Sequence, residues 1–398
     1  MPRRRISLLH TANGWGGSAI HTVTLANTLA IRGHRPVIVE LTAPIILERS
    51  ALVESGVEVH WADLGLTPKQ LGQLGAGRWY RFLRTLRADV GVLAKGWPEV
   101  GSPGLDLACR FAFRGRFLTI EHSTPRPRAG KTSRRHFGGL VPGFGLWWYA
   151  QGLPLHLRSL FPRRIVTVSR AIAGELIQHY GFPASKVVPI PNGVDGERFA
   201  PDRAAHARSR EAWNVPGDAV VFGTVGRLTI LDKGIDVAIE SFARLCAANP
   251  DRPLWCVLVG SGRDEPTLKA QARDSGWGHR ILFPGATERP WEAYSGMDVF
   301  LMPSRFEGIG LALLEAMACG CCPVVMAVGG IKEVVTDRTL GWTAPPADRE
   351  AFLQGMQAAL DAGPDGRSAM GARARTHVLS RFRAEDQYDE LANAIEQL

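Results

Sequence analysis

Several absences narrow the class of this chain before any motif is read. Its six cysteines include the crowded Cys319-Gly-Cys321-Cys322, yet no Cys/His spacing fits a zinc site or a secreted disulfide framework. Reduced thiols in a cytoplasmic setting are therefore expected. Long apolar runs are also missing: the most apolar stretch, 141–157, is broken by Gly143, Gly145, Gly152 and Pro154. It falls short of the roughly 20 residues that span a bilayer. The Arg3-Arg4-Arg5 start precedes an apolar run, 6–9, too short for an export signal. The expectation is a cytoplasmic protein, at most peripheral on the cytoplasmic membrane face. No low-complexity tract, sequence repeat or Asp-x-Asp motif occurs.

Acidic residues are scarce in one half only. Residues 1–199 hold 26 Lys+Arg against 12 Asp+Glu, or +14, whereas 200–398 hold 21 against 26, or −5. A basic first half suits an anionic partner, with a merely solvated arginine-rich surface as the competing reading.

What is present is an ordinary folded composition on a chain long enough for two domains: 398 residues, 45% hydrophobic and 21% charged. Short runs apolar throughout recur at 6–9, 37–41, 90–94, 117–120 and 165–168, and again at 220–225, 255–259, 281–283, 299–302 and 324–326. Helical patterns separate them. Strands that do not alternate are covered on both faces, so the rhythm predicts two α/β, Rossmann-like, doubly wound parallel-sheet domains. Domains are expected at 1–190 and 191–380, with a linker near 190–215 where Pro189, Pro191 and Asn192-Gly193 break regular structure. A terminal helix is expected at 381–398. Ligands of such folds bind beyond the carboxyl ends of strands.

The loops after those strand ends carry the chemistry. After 6–10 comes Asn13-Gly14-Trp15-Gly16-Gly17-Ser18 and then a helical pattern, a strand-to-helix turn whose backbone can approach an anion. After 220–225 come Gly226-Arg227, then Asp232-Lys233-Gly234: a forked cation and a compact one, as a pyrophosphate requires. After 299–302 comes Pro303-Ser304-Arg305-Phe306-Glu307-Gly308-Ile309-Gly310-Leu311, leading into a helix that holds Glu315. Accessible amides and the helix dipole there can receive a diphosphate, and both carboxylates are read as free to accept from hydroxyls. The Glu-x7-Glu spacing alone is weak, since Glu40 and Glu48 share it; that pair has no glycine loop and is given no functional role. Gly260-Ser261-Gly262 places Glu265 where a dinucleotide fingerprint needs its third glycine, which argues against NAD.

Taken in order, Pro191-Asn192-Gly193-Val194-Asp195, Gly226-Arg227-Leu228 with Lys233-Gly234, Gly260-Ser261-Gly262, Pro303 to Gly310 through Glu315-Ala316-Met317, and Gly329-Gly330-Ile331 with Glu333 resemble family 4 glycosyltransferases of the GT-B fold. The N-terminal likeness is thinner: Gly16-Gly17, Glu121-His122 and Val168-Ser169. The resemblance implies two Rossmann-like domains facing across a cleft, the last helix crossing back to the first domain. It implies a retaining, metal-independent transfer of a sugar from a UDP- or GDP-linked donor to a saccharide or lipid-linked acceptor in cell-envelope polysaccharide or glycolipid synthesis, with no cofactor. Arg227 and Lys233 would hold the diphosphate, and Glu307 with the backbone of Gly308, Ile309, Gly310 and Leu311 the sugar. Glu315 would take the ribose, Pro284 and Gly285 the base. Gly16, Gly17 and Gly226 would lie near the phosphates, and His122 would face the sugar. Lys233 stands one residue later than the commonest family spacing. A sugar-nucleotide epimerase or phosphorylase on the same fold is the competing reading.

Residues 122–174 hold nine Lys/Arg and no Asp/Glu, with Phe137, Phe144, Trp147, Trp148, Tyr149 and Phe161 interspersed. Such a segment suits an anionic membrane surface or a lipid-phosphate acceptor, with core packing of the tryptophans as the alternative. Nucleic acid is not expected as a partner, because no recognised module accompanies the charge.

Overall fold

The computed structural model of the protein describes residues 3–11, 16–63, 74–96, 103–123 and 153–398. The chain divides into two compact units, one of 1–191 with 388–398 and one of 192–387. Among the described residues, each is built on one sheet whose strands all pair in parallel.

The first unit has seven strands in the order β3-β2-β1-β4-β5-β6-β7: β1 Arg5–His10, β2 Arg35–Glu40, β3 Glu58–Trp61, β4 Val90–Lys95, β5 Phe117–Glu121, β6 Arg164–Thr167 and β7 Val187–Pro189. The central strands β1, β4 and β5 are buried almost throughout. On one face Leu9, Val39 and Leu93 pack with Trp79, Phe113 and Phe117. Each such side chain withdrawn from water contributes roughly 1.5–3 kcal/mol. The apolar runs at 6–9, 37–41, 90–94, 117–120 and 165–168 are indeed strands. Three strands lay outside that reading: β3, β7 and the corresponding edge of the other sheet. All are at sheet margins, where a strand buries too little to be apolar throughout.

Residues 388–398 complete this unit through the last helix, Ala384–Glu396. Glu396 accepts from Arg32 Nε at 2.9 Å and Nη2 at 2.8 Å and meets His34 Nε2 at 3.0 Å. Arg32 also reaches Asp389 and Asn393, and Arg163 Nη1 donates to the Leu398 carbonyl at 2.9 Å.

The second unit has six strands, order β10-β9-β8-β11-β12-β13: β8 Val220–Val225, β9 Leu254–Val259, β10 Ile281–Gly285, β11 Val299–Met302, β12 Cys322–Met326 and β13 Trp342–Ala344. In both sheets the order reverses beside the first strand of the unit, β1 against β4 and β8 against β11, which opens a crevice at the carboxyl ends there. The segment 190–215, read as a linker, contains the helix Arg203–Ala212, capped by Asp202, whose carboxylate accepts from the amides of Ala204 and Ala205. All six cysteines are buried and free. No helix of the described residues is long and apolar enough to cross a membrane.

Candidate functional site

In the second unit the motif-bearing loops collect at the switch point between β8 and β11. Gly226 follows β8 with φ 149°, and its amide donates to Val259 at 2.9 Å. Opposite it stands Gly260, where an added Cβ would lie 1.8 Å from the Gly226 carbonyl oxygen. Only two glycine backbones can cross so closely. Arg227 is exposed, and its side chain has no hydrogen-bond or ion-pair partner among the described residues. The turn that follows is held by Asp264, which accepts from the Ile230 amide at 2.8 Å.

Lys233 and Glu307 meet each other. Lys233 Nζ lies 2.6 Å from Glu307 Oε1, and Ser304 Oγ donates to the same oxygen at 2.8 Å. The glutamate side chain is 8% exposed and the lysine 26%. Ser304 is buried. The two loops approach so closely that a Cβ on Gly234, itself left-handed with φ 64°, would lie 2.1 Å from the Pro303 carbonyl oxygen. Arg305 ties them together: its two Nη atoms fork onto Asp236 at 2.9 and 2.8 Å, its Nη1 also reaches the Ile230 carbonyl, and its amide donates to Asp232 O at 2.9 Å. A bidentate pair of this kind fixes orientation as well as distance. Ser304, Arg305 and Asp236 were not among the expected site residues. The pairs span 3 and 69 positions of sequence, so Ser304 and Arg305, lying inside the motif, offered a signal and Asp236 offered none.

Gly308, Ile309 and Gly310 are buried, and Gly310 caps the helix Leu311–Ala318 with φ 76°. The first amides of that helix have no intrahelical acceptor, so its N-terminus presents donors and a positive dipole end beside Glu307. One turn further on, Glu315 is buried and its Oε2 accepts from Tyr294 Oη at 2.8 Å. Burial pushes the Glu315 carboxyl up to about 7, against the opposing pull of the Tyr294 hydroxyl and the nearby Arg198. Both carboxylates were read as free. Instead, one oxygen of each already has a partner, because a buried carboxylate without donors is costly. Pro284 and Gly285 end β10, where the pairing with β9 shifts register between Leu282 and Gly285; Gly285 O accepts from the Gly260 amide at 2.8 Å. The structure thus sets Gly226, Arg227, Lys233, Glu307, Gly308, Ile309, Gly310 and Leu311 on loops and a helix start beyond the strands of one sheet, with Glu315 within that helix and Pro284 and Gly285 at the carboxyl end of β10.

Gly16, Gly17 and His122 belong to the first unit. Gly16 is extended, with φ 174°, and a Cβ there would meet none of the described residues within 4 Å; Gly17 begins the helix Gly17–Ile31. His122 follows β5, and its amide donates to the Lys95 carbonyl at 3.0 Å. Burial, then the neighbouring His21 and His10, hold its pKa well below the ordinary histidine value. Beneath it, Lys95 bridges Asp106 at 2.9 Å and Glu121 at 3.7 Å, and Arg158 also pairs with Asp106. Glu40 accepts from the Ile46 and Leu47 amides at 2.7 and 2.9 Å, a loop-holding task. Of the basic aromatic segment, 124–152 lies outside the described residues, including Phe137, Phe144, Trp147, Trp148 and Tyr149.

Two family models match in tandem: Glycosyltransferase Family 4 over residues 15–198 and Glycosyl transferases group 1 over residues 206–377. A GDP-mannose-dependent alpha-(1-6)-phosphatidylinositol monomannoside mannosyltransferase of Mycolicibacterium smegmatis is 32% identical over 240 residues, 58% of this chain and 61% of that protein. A D-inositol 3-phosphate glycosyltransferase of Kribbella flavida is 37% identical over 216 residues, 52% and 50% of the two chains. The chain thus spans only about half to three-fifths of the curated relatives it matches. The solved structure of Anabaena Alr3699/HepE in complex with UDP and glucose superposes with a TM-score of 0.77 at 18% identity, covering 100% of both chains.

Proposed function

Because the chain belongs to the group 1 glycosyltransferases and has their GT-B fold of two Rossmann-like units, we propose that it moves a sugar from a UDP- or GDP-linked donor to a saccharide or lipid-linked acceptor, with retention and without a metal ion. The observation that carries this reading is the Lys233–Glu307 pair, set between the loops after β8 and β11 beside exposed Arg227 and a helix N-terminus.

Arg227 and the first amides of the helix Leu311–Ala318 receive the donor diphosphate, and Lys233 exchanges its carboxylate partner for a phosphate oxygen. Glu307 then keeps the Ser304 hydrogen bond on Oε1, while its other oxygen accepts from sugar hydroxyls. Glu315, anchored by Tyr294, takes the ribose, and Pro284 and Gly285 border the base. His122 offers a ring nitrogen to a hydroxyl of the transferred sugar. The bond from the anomeric carbon to the diphosphate oxygen breaks, and its electron pair stays on the phosphate. The acceptor hydroxyl attacks from the same face, and its proton passes to the departing phosphate oxygen. Arg227, Lys233 and the amides stabilise the charge that develops there, and such preorganised donors are usually the largest catalytic contribution.

The donor proposal draws support from the names of similar proteins, one structure holding UDP and glucose and one relative using GDP-mannose. One of these relatives is named for phosphatidylinositol monomannoside and the other for D-inositol 3-phosphate, which supports an acceptor carrying phosphate. The basic segment 122–174 is proposed to meet that phosphate or an anionic membrane surface; stronger co-sedimentation with anionic than with neutral vesicles is expected, and equal binding counts against it. The six free thiols support a cytoplasmic setting.

The test of the function is transfer from UDP-glucose and GDP-mannose to inositol phosphate or phosphatidylinositol vesicles in the presence of EDTA, followed by proton NMR of the anomeric signal. A product with the donor's configuration is expected. An inverted product, dependence on added metal, or epimerised donor in the absence of acceptor contradicts the proposal.

A further inference from the structure

Three histidines from separate stretches of the first unit converge at one end of its sheet: His10 closing β1, His21 in the helix Gly17–Ile31, and His122 directly after β5. Four of their buried ring nitrogens, both of His10, Nδ1 of His21 and Nε2 of His122, have no hydrogen-bond partner among the described residues. Burial lowers His10 to about 4 and His21 to about 3, so these rings are neutral at physiological pH. A neutral imidazole offers one donor and one acceptor, which suits a hydroxyl better than a phosphate.

The rings contact one another in series. His21 meets His122 edge to face, with centroids 4.7 Å apart and planes at 83°. Its ring also packs against Tyr388, centroid 5.2 Å away at 49°. Tyr388 rides on the last helix, whose far end is clasped to the same unit by Arg32, His34 and Arg163.

We propose that His21, backed by Tyr388, is a positioning residue for His122: the ring series running in from the last helix sets the plane of the His122 imidazole and so aims its unpartnered Nε2. This rests on the reading that His122 touches the transferred sugar. His21 itself never touches substrate; it acts through the ring it holds. An edge-to-face contact restrains the tilt of a ring in a way that an aliphatic side chain of similar volume does not. A small misplacement of a group meeting the substrate is enough to slow turnover.

A double-mutant cycle tests the idea, using whichever of UDP-glucose and GDP-mannose the wild-type protein turns over. His21→Leu is expected to lower kcat about tenfold with the donor KM changed less than twofold, as loss of orientation rather than of binding implies. His21→Phe, which keeps a ring, retains most of kcat. On a His122→Ala background, His21→Leu costs nothing further. Should His21→Leu fold poorly, Tyr388→Leu is read by nitrogen NMR of the His122 ring, where one fixed tautomer is expected to give way to an average. The proposal is overturned if His21→Leu matches wild type while His122→Ala is impaired, if its loss adds in full on the His122→Ala background, or if the His122 signals are unchanged in Tyr388→Leu. His122→Ala with wild-type turnover sinks the underlying reading instead, a distinct result.

Discussion

The two units solve the problem of holding polar chemistry at a sheet end in opposite ways. In the second unit the candidate groups are charged: Lys233 is already paired with Glu307 and Arg305 with Asp236, while Arg227 stands exposed, and glycines let the backbones there cross at close range. In the first unit they are neutral imidazoles with buried nitrogens left unpartnered. Paired charges hold a shape until a ligand carrying compensating charge displaces them; unpartnered neutral groups wait for hydroxyls. Under the proposed function, that contrast assigns the donor diphosphate to the second unit and an uncharged sugar hydroxyl to the first.

Several substitutions would break or sharpen that contrast, beginning with the largest effect. Arg227→Ala should lower kcat by about 10²–10³, the usual consequence of losing one preorganised donor, whereas near wild-type transfer would remove the charged half of the comparison. Glu307→Gln should lower kcat/KM by about 10², because it removes a sugar acceptor and frees Lys233 from its pair; steady-state kinetics would show a much smaller loss if the pair is merely structural.

Two carboxyls distinguish the units by pH. Glu315 is raised to about 7 from 4.5 in the folded state, so the native protein binds more protons than the unfolded chain between those values. Its contribution is full below about pH 4.5 and falls as pH rises toward 7. Glu315→Gln should therefore gain on wild type by up to about 3 kcal/mol between pH 4.5 and 8 in denaturant melts, and parallel curves would contradict the assignment. Glu396 behaves in the opposite sense. Hydrogen bonds from Arg32 and then His34 hold it down to about 2, so its contribution is present above about pH 4.5 and is lost as pH falls through 2. Arg32→Ala should cost about 2 kcal/mol at pH 7 and progressively less in acid. Smallest is Ser304→Ala, expected to cost about tenfold in kcat with little change in stability, since Lys233 still covers Glu307 until the donor arrives.

Much of the fold could be read from residue pattern because central parallel strands are apolar on both faces, and 220–225 and 299–302 coincide with β8 and β11 residue for residue. Three of the four edge strands escaped that logic, and only β10 was read, from its run 281–283. In β3, Glu58, His60 and Trp61 are exposed, while β7 and β13 have only three residues each. At the candidate site, the cations and carboxylates stood out because glycines flank them at short range. Their partners did not. Asp236 and Arg305 are 69 positions apart, Tyr294 and Glu315 are 21 apart, and the ring series joins residues 21, 122 and 388; only the folded chain brings such pairs within contact. Nor does a motif reveal that Lys233 rests on Glu307, since either could have faced solvent.

The most direct test of the central claim is calorimetric titration of the wild-type protein, Arg227→Ala and Lys233→Ala with UDP and with GDP. Binding of at least one nucleotide to wild type, weakened tenfold or more in each variant, is the predicted result. Equal affinity in all three proteins, or no heat from either nucleotide, would contradict a diphosphate site built on the loops after β8 and β11.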